Sequence, residues 1–136
     1  MTGTRRKAQP GDSRRVAEAG EVIFRHGDEA VDMFVIQSGA VEISRGTASE
    51  RTVLATLYQG DFFGEMSLLE SLPRDADAVA VGETRLLVLN AGSLLVRLRR
   101  DPTFALEMLH RLSGRVRALN AELEKALTDV PEDRTP

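Results

Sequence analysis

Turn signals divide the sequence between residues 21 and 90 into short β-forming runs at regular intervals. The runs are "EVIF", "MFVIQ", "AVEISR", "TVLATL", "ADAVAV" and "TRLLVL", and the segments between them include "HGD", "SG", "GT", "YQGD" and "GE". Many short runs at such spacing are typical of an all-β barrel or sandwich. Val41 and Ile43 alternate with Glu42 and Ser44, which predicts one buried and one solvent-facing side of a strand.

After Asn90 the pattern becomes helical. The segment "AGSLLVRLRR" has apolar residues at 94, 95 and 98 and arginines at its end, where cations favour a helix C-terminus. Asp101 can cap a second helix, and Pro102 suits its first position. We therefore expect a mainly β fold followed by C-terminal α-helices at about 91–100 and 102–127.

The chain has 136 residues, which is enough for one domain with a core and too short for two ordinary ones. Residues 1–17 are polar and charged and predict a flexible basic arm, and 128–136 predict a flexible tail. The domain is then expected to span 18–127.

The second helix carries apolar residues that alternate in steps of three and four, a pattern typical of a coiled-coil seam. They are Leu109, Leu112, Val116, Leu119, Leu123 and Ala126. We expect this stripe to contact a second copy of the chain or another protein.

Composition argues against several classes of function. The chain has no cysteine and only two histidines, so we expect no metal site. It has no apolar stretch long enough to cross a bilayer, which indicates a cytoplasmic protein with no membrane partner. Neither His26 nor His110 belongs to a recognisable nucleophile arrangement, so no catalytic residue and no enzymatic activity are predicted.

The charge of the chain also limits its partners. A net charge of -3 argues against general affinity for nucleic acid. The two helices are nevertheless locally arginine-rich, which leaves a nucleic-acid adaptor as a further alternative to a solvated helix face. The arginines concerned are Arg97, Arg99, Arg100, Arg111, Arg115 and Arg117.

The segment "FGEMSLLESLPRDADAVA", residues 63–80, combines features that suit a phosphate group. Gly64 permits close approach of the backbone, the following helix start offers amide donors, and Arg74 can form two charge-assisted hydrogen bonds. Glu65 suits a hydroxyl group such as that of a ribose. The alternative interpretation is that Glu65 is an ordinary helix-start carboxylate in a salt bridge with Arg74.

Four features together resemble the cyclic nucleotide-binding domain family, the module of catabolite activator protein, protein kinase A regulatory subunits and cyclic-nucleotide-gated channels. They are "FRHGDEA", "MFVIQSGAVEI", "GDFFGEMSLLESLPRDADAVA" and the trailing pair of helices, and they cover about residues 20–125. The resemblance implies a jelly-roll-like β-barrel, or double-stranded β-helix. It also implies that Gly27, Gly39 and Gly60 occupy tight turns.

The resemblance further implies a binding site for cAMP or cGMP as a ligand, with no permanently bound cofactor. In such a site Glu65 takes the ribose 2'-hydroxyl, Arg74 pairs with the cyclic phosphate and Ala76 is the small residue that follows. The full set of implied ligand-binding residues is Phe63, Gly64, Glu65, Met66, Ser67, Arg74, Asp75 and Ala76. Residues that cap the base usually lie on the last helix, where the candidates are Arg117, Asn120, Ala121 and Glu124.

Asp75 departs from the family pattern, which usually has serine, threonine or another small neutral residue there. An unpaired carboxylate about 4 Å from the phosphate would cost on the order of 4 kcal/mol at an effective dielectric constant near 20. Alternatively, the carboxylate turns away from the ligand or contacts Arg74. In a third interpretation it accepts a hydrogen bond from the amino group of a guanine base and favours cGMP.

The predicted function is that of a stand-alone regulatory domain that senses a cyclic mononucleotide. Binding would reposition the last helix and modulate a dimer or a partner protein. The alternative is a dimerisation or docking module that has the same fold and does not depend on nucleotide, because Asp75 weakens binding.

Overall fold

The computed structural model describes residues 12–128, which form six strands and three helices. In chain order the elements are β1 Ser13–Ala17, β2 Val22–Phe24, β3 Asp32–Gly46, β4 Arg51–Tyr58, β5 Phe62–Phe63, α1 Glu65–Glu70, β6 Asp77–Asn90, α2 Ala91–Arg100 and α3 Pro102–Thr128. The described residues divide into two compact units, with the boundary between Leu95 and Val96 inside α2. The N-terminal unit contains every strand and α1, and the C-terminal unit contains α3.

Two long strands, β3 and β6, form the centre of the N-terminal unit. They pair antiparallel from Asp32 and Asn90 at one end to Ser44 and Asp77 at the other. The sequence predicted each of them as two runs separated by a turn. The turn signal at Gly39 instead produces irregularities in the register on either side of Ser38, because long-range pairing continues through a β-bulge without reversing the chain.

The sheet has the order β1-β6-β3-β4, with β2 also paired to β6 and β5 also paired to β3. All five pairings are antiparallel. This confirms the mainly β fold of the jelly-roll type with C-terminal helices. The sheet is not closed into a barrel, because within residues 12–128 the terminal strands β1 and β4 each have a single partner strand.

Strand β1 corrects the prediction of a flexible arm over residues 1–17. Ser13–Ala17 pairs with β6, and Ala17 is fully buried. Arg15 also ties β1 to the next segment, since its Nη1 donates to the Ile23 carbonyl at 3.2 Å and its Nη2 lies 3.1 Å from Glu21 Oε2. The rest of the predicted arm, residues 1–11, lies outside the described residues, as does the predicted tail except Thr128, which ends α3.

The core of the N-terminal unit contains the inward-facing apolar side chains of several strands. Its buried members are Ala17, Ile23, Phe34, Ile36, Val41, Phe63, Ala78, Ala80 and Leu86. Strand β5 is only two residues long, yet both of its phenylalanines are buried. It places one end of this core directly before α1 and thereby positions the segment that follows.

The helices α2 and α3 occur at the bounds that the sequence indicated, within one residue. Asn90 and Ser93 cap the start of α2, because the Asn90 N–H donates to Ser93 Oγ at 2.8 Å and the Ser93 N–H to Asn90 Oδ1 at 2.9 Å. The Phe104 N–H donates to Asp101 Oδ1 at 3.0 Å and caps α3. None of the helices described is long and apolar enough to span a membrane.

The predicted stripe on α3 is largely exposed. Leu109, Val116, Leu119 and Leu123 expose 56–63% of their surface, whereas Leu112 is half-buried. The basic face predicted for the helices is less continuous than the sequence indicated. Arg97 is only 3% exposed and lies 4.0 Å from Asp101, so it is a buried member of an ion pair.

Candidate ligand site

Arg74 is buried in the N-terminal unit, with 4% of its surface exposed. Its Nη1 donates to the Gly64 carbonyl at 2.8 Å, and its Nη2 donates to the Asp32 carbonyl. The main chain of Arg74 is held as well, because its N–H donates to the Asp28 carbonyl at 2.8 Å and its carbonyl accepts from the Gly27 N–H at 2.7 Å. The turn between β2 and β3 therefore fixes the position from which the side chain extends.

Aromatic rings surround the guanidinium. Its central carbon lies 4.2 Å from the centre of the Phe24 ring and 5.9 Å from that of Phe34, within the range of cation–π attraction. The rings of Phe34 and Phe63 stack with their centres 5.1 Å apart, and Phe24 packs against both. This cluster gives the charged group an apolar floor with little freedom to move.

Burial lowers the pKa of the Arg74 guanidinium, and nearby negative charges oppose this shift. The opposing carboxylates, in decreasing order of effect, are those of Asp32, Asp28, Glu65 and Asp75. Arginine keeps its proton in proteins, so the site holds a positive charge away from bulk water. One donor of that charge, Arg74 Nε, has no hydrogen-bond partner among residues 12–128 although it is buried.

Gly64 is required by both the backbone and the close packing around it. Its φ of +81° is left-handed, and a Cβ atom there would lie 2.7 Å from Arg74 Nη1. A glycine therefore brings the main chain against the guanidinium where no other residue would fit without displacing it. Helix α1 begins directly afterwards at Glu65, whose side chain is 3% exposed.

The structure brings together four of the predicted site residues. Gly64 accepts a hydrogen bond from Arg74, and the Glu65 carboxylate raises the pKa of the Arg74 guanidinium. Phe63 belongs to the aromatic cluster beneath that guanidinium. The flanking positions are buried or half-buried, at 8% exposure for Ser67, 4% for Ala76 and an intermediate value for Met66. Their roles toward a ligand stay predictions.

Asp75 is the predicted site residue that the structure separates from the others. Its side chain is 76% exposed, and its Oδ2 lies 3.8 Å from Arg45 Nη2 on β3. Its carbonyl accepts a hydrogen bond from Arg45 Nε at 2.8 Å. Among residues 12–128 this carboxylate forms its salt bridge with Arg45, and its orientation toward a ligand stays a prediction.

The four candidates for capping a base all lie exposed on α3, in the C-terminal unit. They are Arg117, Asn120, Ala121 and Glu124. No group of three His, Cys, Asp or Glu side chains suited to a metal ion occurs in the part of the chain that the structure describes.

Three residues around Arg74 were not predicted from the sequence. Phe24 immediately precedes the "RHGD" turn but lies about fifty positions from Arg74, so its contact with the guanidinium follows from the fold and not from a local pattern. Asp32 contacts Arg74 through its main-chain carbonyl, and because every residue has a carbonyl, the residue type does not indicate this contact. Arg45 lies about thirty positions from Asp75, and only the strand register brings the two together.

Comparison with known proteins is consistent with this geometry. A cyclic AMP receptor protein from Thermus thermophilus is 40% identical over 113 residues, which cover 82% of this chain and 52% of that protein. A protein from Rhodopseudomonas palustris, provisionally named a potassium channel protein, is 40% identical over 110 residues, which cover 80% of this chain and 26% of the other. The chain thus spans about half or less of the length of these relatives.

A crystal structure of the Thermus thermophilus catabolite activator protein superimposes with a TM-score of 0.76 at 36% sequence identity, covering 85% of this chain and 55% of the other. The family profile described as the cyclic nucleotide-binding domain matches residues 14–101, which include nearly all of the sheet and α1. The chain belongs to the cyclic nucleotide-binding domain family.

Proposed function

We propose that this domain binds a cyclic mononucleotide, cAMP or cGMP, through the phosphate and that binding regulates an attached or associated protein. One observation carries the proposal. Arg74 is a buried charge whose Nε lacks a hydrogen-bond partner among the described residues, and it lies against the backbone of Gly64. A buried unpaired donor is costly unless a ligand supplies the acceptor.

A cyclic phosphate meets the requirements of this site. It carries one negative charge and presents exocyclic oxygens that can accept from Arg74 in a charge-assisted bond. Glu65, at the start of α1, offers a carboxylate acceptor for a sugar hydroxyl. The name of the Thermus thermophilus relative, a cyclic AMP receptor protein, favours cAMP as the first ligand to test.

Binding would act as a regulatory signal, without chemistry on the nucleotide. A ligand shifts a conformational equilibrium only if it binds two arrangements with different affinity. In the proposed mechanism the loop from Gly64 to Ala76 tightens around the phosphate, and α3 changes position. We propose that the domain performs this role in the cytoplasm as a self-contained module.

The exposed stripe on α3 favours a second function, self-association. Leu109, Val116, Leu119 and Leu123 recur at coiled-coil spacing, and each exposes more than half of its surface. We propose a homodimer in which two such stripes pair. If Asp75 prevented ligand binding, this pairing would be the sole function, and the domain would be a docking module.

A thermal-shift screen with cAMP and cGMP separates these functions. We expect both nucleotides, or one of them, to raise the melting temperature of the native protein and to have no effect on Arg74→Ala. Stabilisation that appears only after Asp75→Ser would support the docking module. Equal stabilisation of native protein and Arg74→Ala would contradict the assignment of the phosphate to Arg74.

A further inference from the structure

Arg45 reaches the ligand loop because of the register between β3 and β6. The last pair of that ladder is Ser44 with Asp77. Extending the antiparallel register by one residue places Arg45 level with Ala76, adjacent to Asp75. From there its Nε donates to the Asp75 carbonyl at 2.8 Å, and its Nη2 lies 3.8 Å from the Asp75 carboxylate.

These two contacts hold both the main chain and the side chain of Asp75. The carbonyl contact fixes the peptide between Asp75 and Ala76, and the ion pair draws the carboxylate toward β3. The side chains of Arg45 and Asp75 are 55% and 76% exposed, so the ion pair is in contact with solvent.

We propose that Arg45 is a positioning residue for the ligand site, which holds the Asp75 carboxylate outside the loop and offsets its charge so that an anion can bind Arg74. The inference rests on the proposed binding of a cyclic nucleotide. It explains how an acidic residue can occupy a position beside a phosphate.

The test is calorimetric titration of cAMP and cGMP into four forms of the full chain: native, Arg45→Ala, Asp75→Ser and the double variant. Without Arg45 the carboxylate is free to approach the phosphate, so we expect affinity to fall roughly tenfold in Arg45→Ala. Asp75→Ser should stay within about threefold of native. The double variant should recover to within about threefold of Asp75→Ser, because the repelling group is gone.

Arg85→Ala provides a matched control. Arg85 lies 3.7 Å from Glu83, and the two side chains are 59% and 66% exposed, so this ion pair is of the same kind but involves no residue of the loop. Removal of the Arg85 side chain should leave the affinity for nucleotide unchanged.

The loss of affinity in Arg45→Ala should also shrink between about 50 mM and about 500 mM salt, since salt screens repulsion between exposed charges. A merely structural role of Arg45 would not produce that dependence.

Several results would overturn the inference. Native affinity in Arg45→Ala would show that Arg45 does not position the loop. A double variant as weak as Arg45→Ala would show that the carboxylate is irrelevant. A strong cGMP preference that is lost in Asp75→Ser would show that the carboxylate faces the base. No binding by the native chain would instead refute the proposed function, and the inference with it.

Discussion

The loop around Arg74 and the helix α3 depart from ordinary protein surfaces in opposite ways. The loop buries a charged side chain at 4% exposure, whereas α3 exposes leucines and a valine at 56–63%. Buried charges and large exposed apolar stripes both oppose the stability of an isolated domain. In the proposed function each is explained by a binding partner, which is an anion for Arg74 and a second copy of the stripe for α3.

The two regions differ in how fully their conformation is established without a partner. Arg74 is held by two carbonyl oxygens, an aromatic floor and main-chain hydrogen bonds, so its position depends little on the ligand. The exposed residues of α3 have only helical geometry to align them. A preorganised site loses less conformational entropy on binding. We therefore expect mutations in the loop to affect affinity strongly and mutations in the stripe to affect assembly.

The largest effect is expected for Arg74→Met, which keeps much of the side-chain volume and removes the charge. Loss of the charge-assisted bond and of the charge that neutralises the phosphate should weaken cyclic nucleotide binding by about 4 kcal/mol, roughly a thousandfold. The free protein should remain folded, with an unfolding free energy lower by about 1–3 kcal/mol, because two carbonyls lose their donor. Calorimetry and chemical denaturation measure the two effects. If folded Arg74→Met kept the affinity of the native protein, Arg74 would not bind the nucleotide, and the expected difference between the loop and the stripe would be wrong.

A smaller effect is expected for Leu119→Asp in the stripe. Burying a leucine contributes at least about 1.5 kcal/mol, and a symmetric dimer loses it twice, so self-association should weaken by about 3 kcal/mol, roughly a hundredfold. Monomer stability and nucleotide affinity should stay near native values. Analytical ultracentrifugation measures the change, with Ala121→Asp as a control that adds the same charge on an exposed residue outside the stripe. If both variants assemble like the native chain, the stripe is not the interface.

The close approach of Gly64 to Arg74 predicts a moderate effect for Gly64→Ala. Gly82→Ala is the matched control, because Gly82 has a φ of +75° and a Cβ atom there would have no neighbour within 4 Å, whereas a Cβ at Gly64 would lie 2.7 Å from Arg74 Nη1. Both variants incur about 1–2 kcal/mol of left-handed strain. Gly64→Ala should lose about 1–3 kcal/mol more. Equal melting temperatures for the two variants would contradict the close packing at Arg74.

The smallest effect is expected at the half-buried ion pair of Arg15 and Glu21, which serves as a reference for both regions. Hydrogen bonds from the Glu18 backbone and from Arg15 lower the pKa of Glu21. A depressed folded-state pKa means that the stabilisation is complete above the ordinary pKa of glutamate and is lost as the pH falls below it. Melting temperatures measured from about pH 6 to about pH 3 should therefore fall slightly less in Glu21→Gln than in native protein. Identical pH profiles would show that this pair does not contribute.

The sequence predicted those parts of the site that depend on residue type. Gly64 was identifiable because a left-handed backbone conformation favours glycine, and Arg74 because a phosphate favours a guanidinium. Asp32 was not, since its carbonyl contributes to the site and any residue has one. The contact between Arg45 and Asp75 was not identifiable either, because the proximity of these residues follows from strand register and not from any local pattern.

The same distinction applies to the fold. Local turn signals predicted breaks within β3 and β6, but pairing between the two strands continues through these positions. Strand β1 was missed because "SRRVA" has little apolar character of its own and is held mainly by its ladder with β6. Helices α2 and α3 were predicted closely, since their capping residues and periodicity are local features.

Calorimetric titration of the native chain with cAMP and with cGMP tests most directly whether the buried Arg74 binds a cyclic phosphate. We expect saturable binding of one nucleotide per chain, because each chain contains one Arg74. Absence of any heat of binding and of any change in melting temperature at saturating concentrations of both nucleotides would refute that role.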